Sequence, residues 1–117
     1  MSAWLLATLL CAAAPEPPGQ LQPPRLLSLV VGLNSSRDEG VAPLRYADDD
    51  AARYYELFEA VGARPRLLAV LDADTQRRHP SVAGAARPPT RAELERTVRE
   101  LAAEARAATQ AGQQVEL

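Results

Sequence analysis

The chain contains no lysine; all 13 of its basic residues are arginine. Together with the abundance of alanine, this reads as G+C-rich coding bias and says little about function. One cysteine, Cys11, excludes an internal disulfide framework and any multi-cysteine zinc site. One Trp and one Phe leave the core to Leu, Val, Ala and the three Tyr. A net charge of -2 gives no nucleic-acid footprint. No apolar run approaches the ~20 residues that cross a bilayer, so no transmembrane span is expected. Gly-rich nucleotide cradles are missing: "VVGLNSS" offers one glycine where such loops use several. No serine stands in a Gly-x-Ser-x-Gly elbow. The single histidine, His79, sits beside Arg77 and Arg78 in a loop and reads as a solvated surface residue. His79 and scattered carboxylates make no metal-ligand pattern, so neither a metal nor a cofactor is expected. The residues supply no complete catalytic constellation, and no catalytic residue is assigned.

With 117 residues, the chain has room for one small domain. "MSAWLLATLLCAAAPEPPG" begins with an apolar run, Ala3 to Ala14, of a length that suits the core of a secretory signal. "CAAA" offers small residues for cleavage. Residues 1–20 are therefore expected to be a signal peptide, and the protein to be exported, periplasmic or secreted. The alternative is a frayed hydrophobic N-terminus on a cytoplasmic protein, because no basic residue precedes the run and Pro15 follows the cut. Residues 15–25 form a Pro-rich linker; "PEPPGQLQPP" holds five prolines and suits neither helix nor central strand.

The folded part is expected at 26–117. "LLSLVVG", Leu26–Gly32, is a continuous apolar run of the kind buried in a parallel sheet. A helix follows the loop, with Ala47, Ala51, Tyr54, Phe58 and Val61 on one face and Gly62 at its end. Asp48, Asp49 and Asp50 open that helix. Carboxylates there favour a helix N-terminus by ~0.3–1 kcal/mol each. One would serve as a cap; three in succession repel one another. "RLLAVLDAD" repeats the strand-then-loop pattern, and residues 72–89 read as loop. "TRAE", Thr90–Glu93, is a capping box for a second helix whose apolar face is Leu94, Val98, Leu101, Ala105 and Ala108. "VEL", Val115–Leu117, starts another strand. The order β-α-β-α-β implies an α/β layer with right-handed crossovers and a parallel sheet. Ligands of such sheets gather at the carboxyl ends of the strands, where the aspartates lie.

Three stretches in this order, "LLSLVVGLN", "LRYADDDA" and "LLAVLDADTQRRHPSVAGAARPPTRAELERTVREL", resemble the start of the catalytic domain of caspase-like cysteine peptidases. That group includes metacaspases and their bacterial relatives. "LRYADDDA" is similar to the Leu-x-Gly-Cys-x-Asn-Asp-Ala segment that opens the first helix of metacaspases; Tyr46 and Ala47 replace its Gly and Cys. The resemblance implies a three-layer caspase-like α/β fold of which residues 26–117 are the N-terminal part. It implies a Cys–His endopeptidase acting on protein or peptide substrates. The family's His and Cys follow its third and fourth strands. Neither context occurs in this chain, and neither His79 nor Cys11 stands at a matching position, so these residues by themselves are expected to be inert. By the same match Asp50 would help form an acidic pocket for a substrate Arg or Lys, with Asp49 beside it in place of Asn. Caspases proper hold a substrate Asp with arginine; in that branch Arg37 or Arg45 would serve. Two other readings stand beside this one. A non-enzymatic α/β binding or regulatory module would need no His or Cys. A receiver-like signalling domain would require a further Asp and a Lys, and the chain has no Lys.

Overall fold

The computed structural model describes residues 22–117. The expected signal peptide, Cys11 and most of the Pro-rich linker lie outside the described residues. The described chain runs β1 (Arg25–Gly32), α1 (Ala47–Ala60), β2 (Arg64–Ala69), α2 (Ala73–Arg78), α3 (Pro80–Ala83), β3 (Ala86–Arg87), α4 (Arg91–Gln110) and β4 (Val115–Glu116). The four strands form one sheet in the order β3-β2-β1-β4. Every pairing is parallel: Leu27–Gly32 of β1 lie opposite Arg64–Ala69, while Arg25 and Leu26 lie opposite Val115 and Glu116. The expected parallel α/β architecture is present.

Helices cover both faces of the sheet. Leu67 packs into the core with Val30, Ala51, Ala52 and Val82. Arg66, its neighbour in β2, points the other way and pairs with Glu104 of α4, Nη2 to Oε2 at 3.0 Å. Adjacent strand residues face opposite sides, so α1 and α4 lie on opposite faces. The topology requires this. The chain steps from β1 to β2 in one direction and from β3 back to β4 in the other, and right-handed crossovers then place the helices on opposite sides.

Local chemistry sets the boundaries. Gly62 and Gly112, at φ +85° and +76°, end α1 and α4 in the left-handed region. Thr90 caps α4, its hydroxyl accepting from Glu93 N at 3.2 Å, as the capping box predicts. At Gly32 the need is space rather than φ: a Cβ there would lie 2.5 Å from Ala51 Cβ and 2.6 Å from the Ala47 carbonyl oxygen. The start of α1 thus rests directly on the carboxyl end of β1.

The structure departs from the sequence reading in three places. The 72–89 segment is not plain loop; it holds α2, α3 and the two-residue strand β3. The second strand begins earlier than expected, at Arg64, and closes at Ala69. Both long helices are also rolled relative to the apolar stripes read from sequence. In α1 the inward residues are Asp48, Ala51 and Ala52, with Tyr55 and Phe58 packed beside them, whereas Tyr54 and Val61 are more than half exposed. In α4 Thr97 and Leu101 are buried, and Leu94 and Val98 remain exposed.

Candidate functional site

The candidate site lies at the carboxyl edge of the sheet, where α1 begins. Asn34, two residues beyond β1, organises it. Tyr46, at the N-cap of α1, contributes no side-chain cap. Asn34 Oδ1 takes over that role from a distance, accepting from Ala47 N at 2.9 Å and Asp48 N at 3.3 Å. These are two of the orphan donors of the first helical turn. The Asn34 side-chain amide in turn donates to Asp48 Oδ1 at 2.6 Å. Leu44 N donates to the Asn34 carbonyl at 2.6 Å, closing the loop between β1 and α1.

Asp48 is fully buried. Its second oxygen, Oδ2, accepts from Asp72 N at 2.9 Å, just beyond β2. Asp72 then caps α2, its Oδ1 accepting from Thr75 N at 2.7 Å. One carboxylate therefore ties the end of β1, through Asn34, to the turn after β2. Burial pushes the Asp48 carboxyl up. The hydrogen bonds from the Asp72 amide and the Asn34 side chain outweigh it, and the group sits below the ordinary aspartate range. Asp48 is held charged as a structural tie.

Asp49 is also shielded, at 4% exposure. It faces α2, where Arg78 Nη1 stands 3.1 Å from its Oδ1. That approach lacks the alignment of a hydrogen bond. Arg78 also pairs with Asp74. Asp50 points outward with a side chain 62% exposed, its nearest cation being Arg53 at 3.8 Å. It borders a shallow open groove formed with Arg53, Tyr54 and Leu57. Asp49 and Asp50 thus stand on different sides of the helix start rather than in one pocket. Arg37 and Arg45 are exposed in the β1–α1 loop.

His79 differs from its sequence reading. It lies at the α2–α3 junction against α1, its Nδ1 3.0 Å from Glu56 Oε2, and its side chain is only 13% exposed. The α2 and α3 turns fold it inward. The Ser81 hydroxyl donates to the other oxygen of the same Glu56 at 3.4 Å.

Sequence reasoning assigned no role to Asn34, Asp72 or Arg78. "DADT", Asp72–Thr75, carried a usable signal, since Asp three residues before Thr just past a strand has N-cap spacing. Asn34 carried none, because its partners are 13 and 14 residues away. Among the described residues, no group of three or more His, Cys, Asp or Glu could hold a metal ion, and no helix is long and apolar enough to cross a membrane. Comparison with protein-family models, with curated proteins and with solved structures gives no match for this chain.

Proposed function

We propose that the chain is the N-terminal part of a caspase-like cysteine endopeptidase domain that selects basic residues in its substrates, with Asp50 as the anionic contact. The observation that carries this reading is the position of Asp50. It stands outward at the sheet's carboxyl edge, beside the apolar walls of Tyr54 and Leu57. Asp48 and Asp49 are turned inward and engaged by Asn34, Asp72 and Arg78. An arginine or lysine side chain suits such a place. Its charged head meets a carboxylate and its methylenes lie on apolar surface.

The chemistry of bond cleavage belongs to a His and a Cys outside these 117 residues. A thiolate attacks the carbonyl carbon, imidazole protonates the departing amine, and backbone amides hold the oxyanion. The part of this chain is to position the substrate. The test is peptide hydrolysis by the 117-residue chain and by a longer gene product that carries the family's third and fourth strands. The short chain should cleave nothing, and the longer one should cleave after Arg or Lys. Cleavage after Asp, or hydrolysis by the short chain, would overturn the proposal.

A further inference from the structure

All of the chain's arginines lie among the described residues, and only Arg37 and Arg45 stand outside its strands and helices. A peptidase takes its substrate in extended form. An arginine within a helix or sheet is reached only after that element opens, whereas an exposed loop tip is cut directly. Arg91 shows why exposure alone is not enough. Its side chain is 92% exposed, yet the residues after it run straight into α4.

The two loop arginines differ in what surrounds them. The β1–α1 connection is pinched at its base, where Leu44 N donates to the Asn34 carbonyl at 2.6 Å. Arg45 lies on the helix side of that pinch. The Tyr46 carbonyl next to it accepts from Asp50 N at 2.9 Å, and the buried Asp48 follows. Cleavage after Arg45 would require the first turn of α1 to unwind. Arg37 lies beyond the pinch, in Ser35–Pro43, where every residue is exposed. The hydrogen bonds around it are local. Asp38 N donates to Ser36 Oγ at 3.0 Å, Gly40 N to Asp38 Oδ1 at 3.0 Å, and Val41 N to the Asp38 carbonyl at 3.1 Å. All are solvent-exposed or local to the turn, and none ties it to the sheet or a helix.

The contacts on either side decide what a cut there would do. Upstream, β1 is paired with both β2 and β4, and its Val30 sits in the core. Arg25 pairs with Glu104 of α4. Asn34 holds Ala47 N and Asp48 across the loop. A break between residues 37 and 38 therefore severs the chain and leaves these contacts in place.

We propose that the Arg37–Asp38 peptide bond is a processing site, at which an arginine-directed peptidase cuts the folded chain once and leaves a two-piece domain with β1 still seated between β2 and β4. Hydrolysis consumes one water, giving Arg37 a free carboxylate and Asp38 a free amino group. The enzyme that fits places an anion against the Arg37 guanidinium and accepts the acidic Asp38 and Glu39 beyond the bond. This site stands independently of the role given to Asp50.

The experiment is limited trypsin digestion of the native 117-residue chain, followed by intact-mass measurement. With no lysine present, trypsin reads the arginines alone. The first product should be the pair 1–37 and 38–117. The two pieces should elute together in native gel filtration with unchanged circular dichroism, and separate in urea. Arg37→Gln should slow the first cut by about 10-fold or more, and Arg45→Gln should leave its rate unchanged. A first cut at Arg45, or within a strand or helix, overturns the proposal. So does a pair that separates or loses its circular dichroism in native buffer, because the cut would then be degradation rather than processing.

Discussion

Three adjacent carboxylates meet three environments because each helical residue turns about 100° from the last. Asp48 faces inward and is hydrogen-bonded on both oxygens. Replacing it with alanine leaves the Asp72 amide and the Asn34 side chain without their partner at a part-buried junction. Asp48→Ala should therefore cost about 2–4 kcal/mol, seen as a lowered midpoint in urea unfolding. Asn34→Ala should fall in the same range, because it removes the cap of α1 and a donor to Asp48 together. Asp50→Ala touches neither partner and should leave the midpoint within about 0.5 kcal/mol. The sequence marked the cluster as unusual but not the division of labour. Nothing local to "DDD" tells an inward carboxylate from an outward one; that depends on Asn34 and Asp72, which are distant in sequence.

At the level of the elements, the order and type of β1, α1, β2 and α4 were legible because their apolar runs, caps and closing glycines agree. The faces were not. Hydrophobic spacing places Tyr54 and Val61 inward on α1, yet the inward row contains the polar Asp48 and the small Ala51 and Ala52. Under α4 the sheet carries Arg25 and Arg66, both paired with Glu104. The polar flank of α4 is thereby drawn onto the sheet, and Leu94 and Val98 roll outward. Strand β3 was illegible at two residues in length. Close packing of α1 on β1 makes Gly32→Ala an overpacking change of about 1–3 kcal/mol, measurable in the same unfolding series. The charge ties also set the acid limit. Hydrogen bonding from Arg25 lowers the Glu104 carboxyl, against the upward push of burial, and Asp48 is lowered despite its own burial. Both groups have folded values below their unfolded ones. Their contribution is complete above the unfolded values, about 4, and is lost as pH falls through the lowered folded values. Denaturation midpoints measured from pH 7 to pH 2 should hold above about pH 5 and then drop. Glu104→Gln should flatten part of that drop, and an unchanged acid limb would count against the assignment.

For the whole molecule, a four-stranded parallel sheet carries a helix layer on each face. The proposed activity also belongs to this scale, since Asp50 can select a substrate only in a domain that supplies the His and Cys. The most direct measurement is kcat/KM for an Arg-terminated peptide substrate, determined on the longer gene product with and without Asp50→Ala, with thermal stability followed in parallel. A loss of about 5-fold, the worth of a solvent-exposed ion pair of about 1 kcal/mol, is expected at unchanged stability. Equal kcat/KM in the two proteins would contradict it.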